Sequence, residues 1–343
     1  MQPDFDNKIP QGFHIEQPEG FGYRLATGTI EHQRVKRGIQ YIGELHHARR
    51  LHGQGGGILV TGPSGVGKTV LVSSYAHQFA RQSSLKGTFV PVLMVTVPSA
   101  PTVKSLSETI LMSFGHPKAH RGSAPEKTAL ILDLITRCGV EMLILDEFQH
   151  LYYSPTNAHF RDVTDWLKNL ISQANVAVVA CGLLEANSVV QANEQLRRRF
   201  SAHFRMLPFQ LQDEADFQEF RAVLKRLQQD LPIPPCTPLH EANLARRLHL
   251  ASYGLLDYVR KVLEGAVSIC GRLGLAQITQ EVLEAAFRER VWGEVPDRKN
   301  PFHSQAYLQP LDRPGEAFYL HMKDPSRSSV ATTRTRLHVP KGR

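Results

Sequence analysis

The segment Gly62-Pro63-Ser64-Gly65-Val66-Gly67-Lys68-Thr69 constrains this chain more than any other. It fits the pattern G-x-x-x-x-G-K-[ST], and its flanks fit as well. The run Gly57-Ile58-Leu59-Val60-Thr61 before it is short, apolar and strand-like, and residues 70–82 after it read as a helix. A glycine-rich turn between strand and helix aims backbone N–H groups at a phosphate, and the helix N-terminus adds partial positive charge. The eight residues and Val70 are therefore expected to cradle the phosphates of a nucleotide. Lys68 would reach the β- and γ-phosphates, and the Thr69 hydroxyl would bind Mg²⁺.

Apolar runs at 57–61, 88–97, 141–145, 176–181 and 203–207 are separated by helix-length segments. Five such strands joined by helices predict an α/β unit with a parallel sheet covered on both faces. From Asp213 the pattern changes. Asp213-Glu214-Ala215-Asp216 reads as an acidic helix start, and helical stretches near 239–252, 254–273 and 279–291 follow with no strand between them. The expected organisation is an N-terminal extension with a helix near 37–51 (1–52), a nucleotide-binding α/β domain (53–208), a small all-helical domain (209–295) and a basic, Pro-rich tail (296–343). The last eighteen residues carry Arg327, Arg334, Arg336, Lys341 and Arg343 and no acid, and the tail is expected to be flexible.

Composition narrows the class. A hydrophobic fraction of 42% with 21% charged residues is that of a soluble globular protein. The polar start Met1-Gln2-Pro3-Asp4 is no secretory signal, and the longest apolar run, 176–184, is too short to span a bilayer. Cys138, Cys181, Cys236 and Cys270 have no metal or redox spacing and read as reduced thiols of a cytoplasmic protein. The net charge of +8 permits a polyanionic partner.

A second motif completes the chemistry. Met142-Leu143-Ile144-Leu145-Asp146-Glu147 is an apolar strand ending in a carboxylate pair. Asp146 at the strand end would hold the Mg²⁺ shell, and Glu147 would take a proton from a water in line with the γ-phosphate. A carboxylate base beside the metal ligand points to ATP hydrolysis. The run 176–181 should lie beside the phosphate-loop strand. Its end, Cys181-Gly182, offers only a thiol where a polar γ-phosphate sensor is useful, so sensing falls to Gln149. Leu196-Arg197-Arg198-Arg199-Phe200 reads as a basic turn from which an arginine, Arg198 or Arg199 first, reaches a neighbouring subunit's γ-phosphate; that role requires an oligomer.

Together these residues resemble the AAA+ ATPases, and within them the TniB/TnsC regulators of DNA transposition. The resemblance spans about 30–295. It rests on residues 62–69, on Ile144-Leu145-Asp146-Glu147-Phe148-Gln149-His150-Leu151 and on 196–200. Pro98-Ser99-Ala100-Pro101-Thr102 and Gly254-Leu255-Leu256-Asp257 add weaker support. It implies a five-stranded AAA+ P-loop core with a helical lid, and ATP-dependent assembly into rings or helical filaments on duplex DNA. It also implies a target-selection protein and a transposase as partners, disassembly on hydrolysis, and residence in the bacterial cytoplasm at the nucleoid. Asp257 departs from the lid arginine common in AAA+ proteins, with Arg260 the nearest substitute; with Cys181, this favours a slow timer over a fast motor. Lys104, Lys118 and Arg121, with His120 beside them, are the candidate contacts to DNA phosphates. A helicase-loader-like or insertion-sequence helper ATPase, and a nucleotide-switched scaffold that never touches DNA, remain alternatives.

Overall fold

The computed structural model describes Leu25, 32–53, 55–85, 87–154 and 156–319. They fall into two compact units that divide between Leu207 and Pro208, with Leu25 and His32 belonging to the second.

The first unit opens with α1 (Gln33–His52), β1 (Gly57–Thr61) and α2 (Lys68–His77). A hairpin of β2 (Gln82–Ser84) and β3 (Gly87–Phe89) leads to β4 (Val92–Thr96), α3 (Val103–Ser113) and α4 (Ala124–Arg137). Then follow β5 (Met142–Asp146), a 3-10 turn (Phe148–Leu151), α5 (Asn157–Ala174), β6 (Ala177–Gly182), α6 (Ala186–Ala192), α7 (Glu194–Arg199) and β7 (Phe200–Arg205). The main sheet is the expected five-stranded parallel one, in the order β4-β5-β6-β1-β7. β1, β5 and β6 are buried along their whole length, as central parallel strands covered on both faces must be. Leu59, Leu93, Leu143 and Val178 from the sheet pack with Ile110, Ile131 and Leu167 from the helices in one apolar cluster.

The run 88–97, expected as a single strand, divides in two. Its first residues pair antiparallel in the exposed β2–β3 hairpin, and only Val92–Thr96 joins the sheet. Pro91 lies at the break, where its missing N–H interrupts any ladder. The helix expected to reach Gln82 ends at His77, and Gln82 pairs in β2 instead. α1 belongs to this unit too. His46, buried between α1 and α2, has Nδ1 2.9 Å from the Tyr75 hydroxyl and Nε2 2.8 Å from Glu141, which also pairs with Arg50.

The second unit is helical: α8 (Glu214–Gln229), α9 (Ala242–Ser252), α10 (Leu256–Leu273) and α11 (Gln280–Arg290). Three of the four starts are capped by a side chain. Asp213 accepts from the Asp216 N–H, Glu241 from Asn243 and Leu244, and Thr279 from Val282, while Gly274 ends α10 in the left-handed region. Residues 296–319, expected as the start of a flexible tail, are instead part of this core. Phe302, Leu311 and Phe318 are fully buried with Phe287, Val259 and Leu263. Asn300 Nδ2 donates to the Glu284 carbonyl at 3.0 Å, and Lys299 pairs with Glu316 at 2.7 Å. Proline-rich composition hid three apolar anchors. The arginines and lysine at 327–343 and the extension up to residue 24 lie outside the described residues. Among the described residues, no helix is long and apolar enough to cross a membrane.

Replacing Phe302 with Ala removes a fully buried ring from the helical unit. It is expected to cost about 3–5 kcal/mol, read as a lower denaturant midpoint of that unit's unfolding. An unchanged midpoint would mean that 296–319 add nothing to the core.

Candidate active site

Parallel register brings the chemistry to one sheet edge. Thr61 at the end of β1 lies opposite Gly182 of β6 and Arg205 of β7, and Thr96 of β4 lies opposite Asp146 of β5. The loop after β1, the acidic pair after β5 and the end of β6 therefore emerge together.

The phosphate loop is shaped by its glycines. A side chain on Gly62 would overlap the carbonyl oxygen of Met206. Gly65 and Gly67 have φ of +78° and +97°, where L side chains are strained, and Gly67 caps α2. The first backbone bond of α2 runs from Leu71 N–H to the Gly67 carbonyl, so the N–H groups of Lys68, Thr69 and Val70 belong to the unsatisfied first turn. That is a cradle suited to an anion. Ser64, Thr69 and Val70 are exposed and Pro63 is half-buried. Lys68 is only 8% exposed, and its Nζ donates to the Pro63 carbonyl at 2.9 Å. Burial pushes its pKa down, while the carboxylates of Asp146, Glu147 and Glu185 oppose that shift.

Asp146 is 3% exposed, and its Oδ1 accepts the Glu147 N–H at 2.9 Å. Burial first, then the Asp146 charge, pushes the buried Cys181 thiol well above its ordinary value, so it stays protonated. Glu147 takes the left-handed backbone conformation, φ +57°, which turns its side chain away from the strand, 40% exposed. His150 Nδ1 lies 2.8 Å from the Val97 carbonyl, an acceptor only, so Nδ1 carries the hydrogen and Nε2 faces Glu147 Oε2 at 4.0 Å. Gln149, the expected phosphate sensor, is 3% exposed; its Nε2 donates to Glu147 and its Oε1 accepts the Leu183 N–H at 3.0 Å, so both ends of its amide are engaged within the protein.

Residues 24–210, more than half of the chain, match the family model of the bacterial TniB protein. The chain belongs to the TniB family. No curated protein sequence matches it. Among solved structures, the Orc2 protein of Aeropyrum pernix, determined in ADPNP and ADP complexes, superposes with a TM-score of 0.58 at 17% identity over 80% of this chain and 72% of that one. The Orc1 protein of the same organism, determined in complex with DNA, gives 0.59 at 17% over 79% and 67%. Cdc6p from Pyrobaculum aerophilum gives 0.57 at 14% over 82% and 74%. At such identities the likeness is one of fold, and the fold of this TniB-family chain is that of the AAA+ ATPases.

The remaining candidates belong to other elements. Arg197, Arg198 and Arg199 form the last turn of α7 rather than a loose turn, since Asn193 caps the helix and Leu196 is fully buried beneath it. Arg197 and Arg198 are exposed. Arg198 pairs with Glu194 at 2.6 Å, and Arg199 donates to the Ser172 hydroxyl at 3.1 Å. Lys104 is exposed in the first turn of α3, where a cation opposes the helix dipole. Lys118, His120 and Arg121 are exposed on the loop before α4. That loop is held from beneath by Lys127, 1% exposed, whose ammonium donates to the carbonyls of Ala119 at 2.6 Å and Arg121 at 2.7 Å. Nothing in the sequence marked Lys127, because a lysine in an amphipathic helix reads as solvated. Asp257 pairs with Lys261, and Arg260 donates to the Leu25 carbonyl at 2.7 Å.

Removing the buried ammonium with Lys68→Ala is expected to weaken ATP binding at least about tenfold, the loss of a charge-assisted bond. Titration with a fluorescent ATP analogue checks this, and unchanged affinity removes Lys68 from the phosphate cradle.

Proposed function

We propose that this TniB-family protein is a Mg²⁺-dependent ATPase that assembles with ATP on duplex DNA, links target-site selection to transposase recruitment, and leaves the DNA as ATP is hydrolysed. The observation that carries the reading is the convergence of the glycine cradle, buried Lys68, Asp146 and Glu147 at one edge of one sheet. Family membership and the fold shared with an Orc1 protein determined on DNA support the wider role.

In this reading the first-turn N–H groups of α2 and Lys68 hold the β- and γ-phosphates. Thr69 and Asp146 would hold Mg²⁺, which when bound neutralises phosphate charge. Glu147 accepts a proton from water as the water oxygen bonds to the γ-phosphorus and the bond to the β–γ bridging oxygen breaks. ADP and phosphate leave, and Glu147, open to solvent, returns its proton there.

The exposed arginines of α7 suit a partner rather than their own site. The Arg198–Glu194 pair is a solvated i,i+4 contact worth only about 0.3–0.5 kcal/mol, so it yields readily to a phosphate. We assign Arg198, with Arg197 and Arg199 beside it, to the γ-phosphate of a neighbouring copy in a ring or helical filament. Lys104, Lys118 and Arg121 face the DNA backbone without reading bases. The protein works in the bacterial cytoplasm, at the nucleoid, with a target-selection protein and a transposase as partners.

Two experiments test this. Glu147→Gln should bind ATP normally, stall turnover and accumulate as assemblies on duplex DNA under the electron microscope, with affinity falling as salt rises. Normal hydrolysis removes Glu147 as base, and no salt-dependent duplex binding with ATP rejects the DNA role. Replacing Arg197, Arg198 and Arg199 together with Ala should cut ATPase activity about a hundredfold or more while monomer nucleotide affinity holds. Retained activity places the finger elsewhere.

A further inference from the structure

The amide of Gln149 spans two elements that meet only in the folded sheet. Its Nε2 donates to Glu147 Oε2, and its Oε1 accepts the N–H of Leu183, the first residue after β6. The orientation is unambiguous, because a carboxylate only accepts and a backbone N–H only donates. Gly182 leaves the room: a side chain there would overlap Gln149 Oε1. On the other side of the same turn, His150 Nδ1 donates to the carbonyl of Val97, just past β4. The 3-10 turn after Glu147 is thus clamped between the ends of β4 and β6. Tyr153, beyond that turn, adds a tie to the segment after β6 by donating to Glu185 at 2.9 Å.

Glu147 needs such support. Its left-handed backbone is strained for a non-glycine residue and persists only when the surroundings over-determine it. Its carboxylate is partly solvated and would otherwise sample several rotamers. A misplacement of about 1 Å at a base can cost on the order of a hundredfold in rate.

We propose that Gln149 is a positioning residue for hydrolysis, fixing the direction of the Glu147 carboxylate and tying it to the turn after β6; this rests on the reading of Glu147 as the base. The chain leaving that turn runs through α6 into α7, which carries the three arginines. The base is therefore mechanically continuous with the helix offered to a neighbouring subunit.

The test uses the full-length chain with ATP, Mg²⁺ and duplex DNA. Gln149→Ala, and the isosteric Gln149→Glu, should lower kcat by about ten- to a hundredfold while KM and the affinity for an ATP analogue stay within about twofold. Gly182→Ala, which introduces no functional group, should lower kcat in the same way by displacing the amide. Because Gln149 acts through Glu147, adding Gln149→Ala to Glu147→Gln should cost nothing further. Wild-type kcat in both Gln149 variants, or a loss that adds to that of Glu147→Gln, overturns the proposal while a stalled Glu147→Gln leaves the base in place. A Glu147→Gln variant that turns over normally overturns both. A fall in nucleotide affinity and melting temperature matching the fall in kcat makes Gln149 a structural residue only, and also overturns the proposal.

Discussion

Because β1 is hydrogen-bonded on both sides, to β6 and to β7, its C-terminal end has almost no freedom of position. Everything at the site inherits that restraint. Gly62 leaves the strand against the Met206 carbonyl, so close that only a hydrogen fits on its α-carbon, and the loop then turns through two positive-φ glycines into α2. A parallel sheet delivers all its C-terminal ends to one edge, so the same pairing that fixes Thr61 also sets Gly182 and, one strand further, Asp146.

The charges at that edge are arranged around burial. Lys68 is held in a low-dielectric position where desolvation wins over the carboxylates of Asp146 and Glu147. An anion at the cradle would supply the counter-charge that burial withholds, which is how a phosphate gains more from this lysine than from a solvated one. Asp146 is equally withdrawn, but accepts from the Glu147 N–H. The Cys181 thiol at the end of β6, kept protonated by burial and by the Asp146 charge, adds no second negative charge beside it.

Much of this was legible in the sequence because it is local. The strand–glycine-loop–helix signal and the apolar strand ending in Asp146 and Glu147 each occupy a dozen residues, and backbone geometry follows directly from such patterns. The orientation of Gln149 was not legible, since it depends on Leu183 arriving beside it from a different strand. Lys127 was hidden for the same reason: its partners are Glu108 of α3 and carbonyls of a loop that folds back over it. Residues 296–319 misled through composition. Prolines and charges dominate the average there, but order depends on the three positions Phe302, Leu311 and Phe318, which fill the helical core. The arginines at 197–199 were read as a turn because the six-residue helix they end is too short to show periodicity.

The two halves of the proposed chemistry rest on different strands. The phosphate cradle rests on β1 between β6 and β7, with Lys68 bonded to its own loop at Pro63. The base needs three strands at once: β5 to carry it, the end of β4 to hold His150 and the end of β6 to hold Gln149. A small shift of β6 relative to β5 would leave the cradle intact and misdirect Glu147. In that proposed chemistry nucleotide binding would be robust to the state of the surroundings, while hydrolysis would be sensitive to them. That is the order of dependence an assembly needs if it is to form with ATP first and hydrolyse only once its neighbours are in place.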